Sequence, residues 1–117
     1  MRGRRAAEDL TFPALASRRV FYTARMAATT YLVIERFTNG AEPVYRRFRE
    51  RGRMAPEGVT YVGSWVDTTL TRCWQVMQAD DRARLDAWMA NWRDLVDFEV
   101  HEVLTSAEAA AKALADE

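Results

Sequence analysis

Val59-Thr-Tyr-Val-Gly-Ser-Trp-Val-Asp-Thr-Thr-Leu-Thr-Arg-Cys-Trp-Gln-Val-Met-Gln78 is rich in β-branched and aromatic residues on either side of a short polar break. That pattern reads as two strands, Val59–Asp67 and Thr71–Gln78, joined through Thr68-Thr69-Leu70 as a hairpin. Because successive strand residues point to opposite faces, one face holds Tyr61, Gly63 and Trp65 with Trp74 and Val76. The other holds Val62, Ser64 and Val66 with Cys73, Gln75 and Met77. Neither face is polar, as a solvated sheet face would be. A sheet built on this hairpin therefore needs cover on both sides.

The flanking segments supply the rest of the sheet and one of its covers. Thr30-Tyr-Leu-Val-Ile-Glu-Arg-Phe37 is a short β-branched and aromatic run closed by Thr38-Asn39-Gly40, a strand followed by a turn. Pro43 suits the first turn of a helix in which Val44, Tyr45 and Phe48 form a buried stripe, with Gly52 placed to end it. Asp80 and Asp81 set acids at the start of a second helix, where the macrodipole favours them. That helix carries Leu85, Trp88, Met89 and Trp92 at i, i+3, i+4 and i+7. Leu95–Leu104 reads as a fourth strand with Val96, Phe98 and Val100 on one face. Thr105-Ser-Ala-Glu108 is a capping box that opens a final Ala-rich helix. The order β-α-β-β-α-β with a trailing helix is an α+β, ferredoxin-like plan: a four-stranded antiparallel sheet with its helices on one face. The uncovered face, being apolar, is expected to meet a second copy of the chain, giving a homodimer through the sheet face.

Composition limits the possible functions. The chain has 117 residues, with 17 Lys plus Arg against 17 Asp plus Glu, one His and one Cys. Such a length is one domain's worth. Zero net charge speaks against a general attraction to nucleic acid or to anionic membranes, both of which need a basic field. A single Cys excludes an intramolecular disulfide, and one His with one Cys is no convincing metal or haem ligand set, so no cofactor is expected. No apolar run has the length of a membrane span, and a cytoplasmic location is expected.

The charge is unevenly divided. Residues 1–25 hold six Arg and two acids, a net +4, leaving 11 basic and 15 acidic residues, a net −4, for the remainder. Periodic hydrophobic order begins only after Met26. Residues 1–25 are accordingly read as a disordered or non-native extension, and residues 26–117 as a single domain. A targeting peptide is opposed by Glu8 and Asp9 and by the lack of a continuous apolar core. A basic arm for an anionic partner is the functional alternative.

Tyr31-Leu-Val-Ile-Glu-Arg-Phe37 followed by Val44-Tyr-Arg-Arg-Phe-Arg-Glu-Arg-Gly-Arg-Met-Ala-Pro-Glu-Gly58 resembles a bacterial family catalogued only as a domain of unknown function, 3303. Ser64-Trp-Val-Asp67, Cys73-Trp74, Trp88-Met89, Trp92 and Asp94-Leu-Val-Asp-Phe-Glu-Val100 continue the likeness, which covers Tyr31 to Ala110. The family is similar to the dimeric α/β-barrel superfamily, in which two ferredoxin-like subunits pack sheet to sheet. The resemblance implies a dimeric α/β barrel and a range of functions running from cofactor-independent monooxygenases and isomerases to plain ligand binders. It carries no catalytic residue over to this chain.

Four residues stand out as candidates for a ligand pocket. Glu35 places a carboxylate on the Tyr31, Val33 and Phe37 face, where it must be paired with an Arg or raised in pKa, the second state suiting a general base. Trp65 and Trp74 share a face and either wall a pocket for a flat apolar ligand or pack as a cross-strand pair. His101 is the one side chain with an unperturbed pKa near neutrality, a general base if it faces a cavity and otherwise a surface residue on an acidic strand. Arg46, Arg47, Arg49, Arg51 and Arg53 are the densest charge run. From it Arg49 and Arg53 are candidates to bind an anion such as a carboxylate or phosphate, against the plainer reading of a solvated helix face. Cys73 reads as a small buried filler. Three functions remain open: a small-molecule-binding dimer for an apolar or aromatic ligand, a cofactor-independent monooxygenase or isomerase using Glu35 or His101, and a structural or regulatory dimerisation domain.

Overall fold

The computed structural model describes residues 28–116. The extension expected over residues 1–25, and the boundary at Met26, lie outside the described residues. In chain order the elements are β1 (Thr29–Phe37), α1 (Ala41–Arg51), β2 (Val59–Val66), β3 (Arg72–Ala79), α2 (Arg82–Ala90), β4 (Val96–Val103) and α3 (Ser106–Ala113). The strands form one sheet in the order β2-β3-β1-β4, each pair of neighbours antiparallel. This is the α+β, ferredoxin-like arrangement expected from the element order.

Alternation along the strands gives the sheet two unlike faces. Tyr31, Val33, Glu35 and Phe37 of β1 point toward the helices, together with Cys73, Gln75, Met77 and Ala79 of β3, and all eight are buried. Leu85, Trp88 and Met89 of α2 complete this core, with Val44 from α1, Val59 from β2 and Val96 from β4. On the opposite face Trp65, Trp74, Ile34 and Glu99 lie in one cross-strand row, and Gly63, Val76, Leu32 and His101 in the next. Trp65 there is 65% exposed.

Local chemistry sets the ends of the elements. The Asp81 side chain caps α2 by accepting from the Arg84 N–H at 3.0 Å. Thr105 and Glu108 form the reciprocal capping box of α3. That helix buries none of its residues, so its cap is its main support within the chain. Between β2 and β3 the Asp67 carboxylate accepts from the Thr71 and Arg72 backbone N–H groups and the Thr71 hydroxyl. The Thr71 N–H above all holds the Asp67 pKa down to about 2. The four residues Thr68–Thr71 form the loop, so Trp65 stands directly opposite Trp74. Gly58 has φ +88, a conformation that favours glycine, and a Cβ there would press on the Arg84 side chain, 2.6 Å from its Cδ.

Three details depart from the sequence pattern. A bulge in β2 leaves Val62 without a partner, pairing Tyr61 with Met77 and Gly63 with Val76, so Tyr61 moves to the helix face. The stripe expected on α1 buries only Val44, while Tyr45 and Phe48 remain 45% and 41% exposed. Tyr45 meets the Phe37 ring edge-on with centroids 6.2 Å apart, and both Tyr45 and Phe48 line a hollow between α1 and the sheet. Finally, α2 ends at Ala90, and Trp92 follows in a tighter turn in which the Asn91 and Trp92 N–H groups donate to the Trp88 and Met89 carbonyls. Trp92 is buried nonetheless.

Leu85 is fully enclosed. Leu85→Ala is expected to cost about 2–5 kcal/mol of unfolding free energy, read from the shift of the urea midpoint, since both transfer and cavity terms are lost.

Candidate functional site

The α1–β2 loop positions the site. Its Arg53 carbonyl accepts hydrogen bonds from the indole N–H groups of both Trp88 and Trp92, each at 3.1 Å. The Met54 carbonyl accepts from the Asn91 amide at 3.1 Å, and the Glu57 carbonyl from Arg84 Nη1 at 2.8 Å. Met54 itself is held at φ 62, a left-handed conformation uncommon for a residue with a side chain. These bonds lay the loop across α2 and aim the Arg53 side chain back toward the sheet. Its guanidinium stacks on Tyr61 at 3.6 Å from the ring centroid and lies 5.1 Å from that of Phe48.

Beneath it is a cavity of about 160 Å³ between α1, the loop and the sheet. Phe37, Tyr45, Phe48, Trp88 and Trp92 supply its aromatic lining, and Glu35, Arg53, Ser64, Cys73 and Gln75 its polar groups. Three of the polar groups are connected in series. Arg53 Nη1 donates to Gln75 Oε1 at 2.7 Å, and Gln75 Nε2 donates to Glu35 Oε2 at 3.3 Å. Glu35 is 8% exposed and stands opposite Cys73 on β3 and Phe98 on β4.

Burial raises the Glu35 pKa from its ordinary 4.5 to about 7, against the opposing pull of Arg53. Among the described residues no guanidinium lies within ion-pair distance of it; the ion pair weighed as its plain role is replaced by a neutral amide contact. Burial also pushes the Cys73 thiol up to about 12, helped by Glu35, so it stays protonated and is no nucleophile at neutral pH. The Tyr45 hydroxyl is likewise raised, first by burial.

The other candidates lie elsewhere. Trp65, Trp74 and His101 occupy the open face, on the far side of the sheet from Glu35. His101 Nε2 lies 2.6 Å from Glu99 Oε2 on the same strand face. The four residues grouped as one pocket are thus divided by the sheet, because Glu35 and His101 fall on opposite parities of adjacent strands. Arg53 joins the cavity, whereas Arg49 is exposed on α1 and is not part of its lining. Arg47 is committed to both carboxylate oxygens of Asp94, at 2.8 and 2.7 Å. Gln75 was not singled out from the sequence, although an amide among Cys73, Met77 and Ala79 on an inward face is itself a signal.

A family described as a domain of unknown function (DUF3303) matches residues 29–116, and the chain belongs to that family. No curated protein and no solved structure matches the chain. No helix of the described residues is long and apolar enough to cross a membrane.

Glu35 also makes stability depend on pH. Between its unfolded pKa near 4.5 and its folded value of about 7, the unfolded chain gives up a proton that the folded one keeps. Stability contributed by this group therefore falls as pH rises through that window, by about 3 kcal/mol in total at about 1.4 kcal/mol per tenfold change. Urea titrations at pH 4.5 and 8 are expected to show this loss in the wild type and its absence in Glu35→Gln.

Proposed function

We propose that this member of the DUF3303 family binds a small apolar or aromatic molecule in the cavity between α1 and the sheet, and acts as a homodimer joined through its open sheet face. The observation that carries the first part is an aromatic-lined cavity of about 160 Å³ with one buried carboxyl and one arginine among its walls. Ligand sites are typically apolar hollows with a few placed polar groups, and a cavity of about 150 Å³ accepts benzene. A single ring with a short substituent matches that volume.

The dimer rests on the other face. Leu32, Ile34, Trp74 and Val76 are only half-buried there, Trp65 is exposed, and no element of the described residues covers them. Arg36 and Arg72 offset Asp97 and Glu99 at the margin of this patch, leaving it without a net charge that would oppose a second copy. A second copy also gives α3, marginal by itself, a surface to lie on. The one buried, unpaired Cys73 suits a reducing compartment, and a cytoplasmic location forms part of the proposal.

A second reading is favoured by Glu35 alone. A carboxyl with a pKa of about 7 inside a cavity can take and return a proton near neutral pH, the step on which an isomerase or a cofactor-independent oxygenase depends. Under that reading Glu35→Gln abolishes turnover and retains binding, and His101→Ala leaves turnover intact.

Titration with benzyl alcohol is expected to shift the indole N–H resonances of Trp88 and Trp92; unchanged spectra at millimolar ligand would sink the cavity reading. Sedimentation is expected to give a dimer mass that Trp65→Glu reduces to a monomer while benzyl alcohol binding persists. A monomeric wild type would remove the dimer and leave the cavity reading standing.

A further inference from the structure

We infer that the ligand of this cavity is a small monocarboxylate with an aromatic or branched apolar body, whose carboxylate binds Arg53 and replaces Glu35 as its counter-charge. The inference rests on the cavity reading above and adds the chemical class of the ligand.

Arg53 is prepared for an anion. Its backbone is tied to Trp88 and Trp92, and its guanidinium lies 3.6 Å from the Tyr61 ring centroid and 5.1 Å from that of Phe48. It has five N–H donors, and the side-chain bond it makes among the described residues takes only Nη1, to Gln75. No carboxylate of the described residues lies within ion-pair distance of it. A fixed guanidinium fork with spare donors is the group best matched to a carboxylate. Tyr45 and Phe48, both half-exposed, share the cavity lining with Arg53, so a ligand's charged end can stay near water while its body reaches Phe37, Trp88 and Trp92.

Charge balance points the same way. The ionisable groups around Glu35 are Tyr45 from α1, Arg53 from the loop, Tyr61 from β2 and Cys73 from β3; α2 and β4 present Trp88 and Phe98. Among the described residues, Arg53 is the single cation in the cavity wall and Glu35 its single carboxyl. When Glu35 is ionised, it compensates Arg53 through the Gln75 amide. When Glu35 is protonated, the wall carries one uncompensated positive charge on the partly exposed Arg53 guanidinium, which still has donors to offer an anion. A ligand carboxylate supplies that anion, and two carboxylates in one small cavity cannot both remain ionised. Entry of the anion therefore leaves Glu35 holding a proton. Below about pH 7 the proton is already present; above it, binding must take one up from solution.

Benzoate and the neutral benzyl alcohol distinguish this inference from the reading beneath it. By calorimetry between pH 6 and 9, benzoate is expected to bind the wild type with an affinity that falls up to tenfold per pH unit above about pH 7. Glu35→Gln, which mimics the protonated acid, is expected to bind benzoate with little pH dependence. Arg53→Met is expected to lose about tenfold or more in benzoate affinity, the scale of one charge-assisted hydrogen bond, and to keep benzyl alcohol. The Arg53 carbonyl, not its side chain, anchors the loop, and Glu35→Gln provides an independent check should the Met variant fail to fold. Benzyl alcohol binding accompanied by weak, pH-independent benzoate binding would overturn the inference and leave the cavity reading intact. Failure of both probes to bind would overturn the cavity reading itself.

Discussion

Two buried indoles, Trp88 and Trp92, donate to a single oxygen, the carbonyl of Arg53. A buried N–H without an acceptor costs about 1–3 kcal/mol, so the two tryptophans and the loop hold one another in place. Neither tryptophan can move without orphaning its donor, and the loop cannot lift without orphaning both. The strained Met54 and the left-handed glycines at 52 and 58 persist within this arrangement. The floor of the cavity, its height above the sheet and the direction of the Arg53 guanidinium all follow from that shared acceptor.

The parity of the strands does the rest. β1 presents Glu35 to the cavity and, one residue earlier, Ile34 to the open face, so one strand serves two surfaces of different chemistry. On the helix side, low exposure keeps a carboxyl near neutrality and a thiol protonated. On the open side, the Glu99–His101 contact is solvent-exposed and can exchange with water. No hydrogen-bonded path through the sheet is needed for either surface to act. The two surfaces are therefore separable by substitution.

Much of the fold was legible in local chemistry. The capping box at Thr105, the Asp81 cap, the Gly52 stop and the hairpin around Thr68–Thr71 are each short-range devices, and each occurs where its residues imply. The inward parity of Glu35 was legible too, from Tyr31, Val33 and Phe37 beside it. The bulge at Val62 was not, because one extra residue leaves no mark in an alternation already interrupted by Gly63 and Ser64. That bulge moved Tyr61 across the sheet to stack on Arg53. The separation of Trp65, Trp74 and His101 from Glu35 by the sheet was hidden for a related reason. Each lies on the right kind of strand, but whether two strands share parity depends on their register, which composition does not encode.

Residue by residue, the sequence determined the element order, the caps at Asp81 and Thr105, the two apolar sheet faces and the presence of a carboxylate where only apolar groups belong. These depend on neighbours within a few positions, or on a period of two or 3.6 residues. Only the tertiary structure decided which face the helices cover, that a hollow lies between α1 and the sheet, and that Arg53, Gln75 and Glu35 form one series. Those contacts join residues 22 and 40 positions apart in the chain. Their geometry is set by how the loop docks on two tryptophans, a packing outcome that no local pattern specifies.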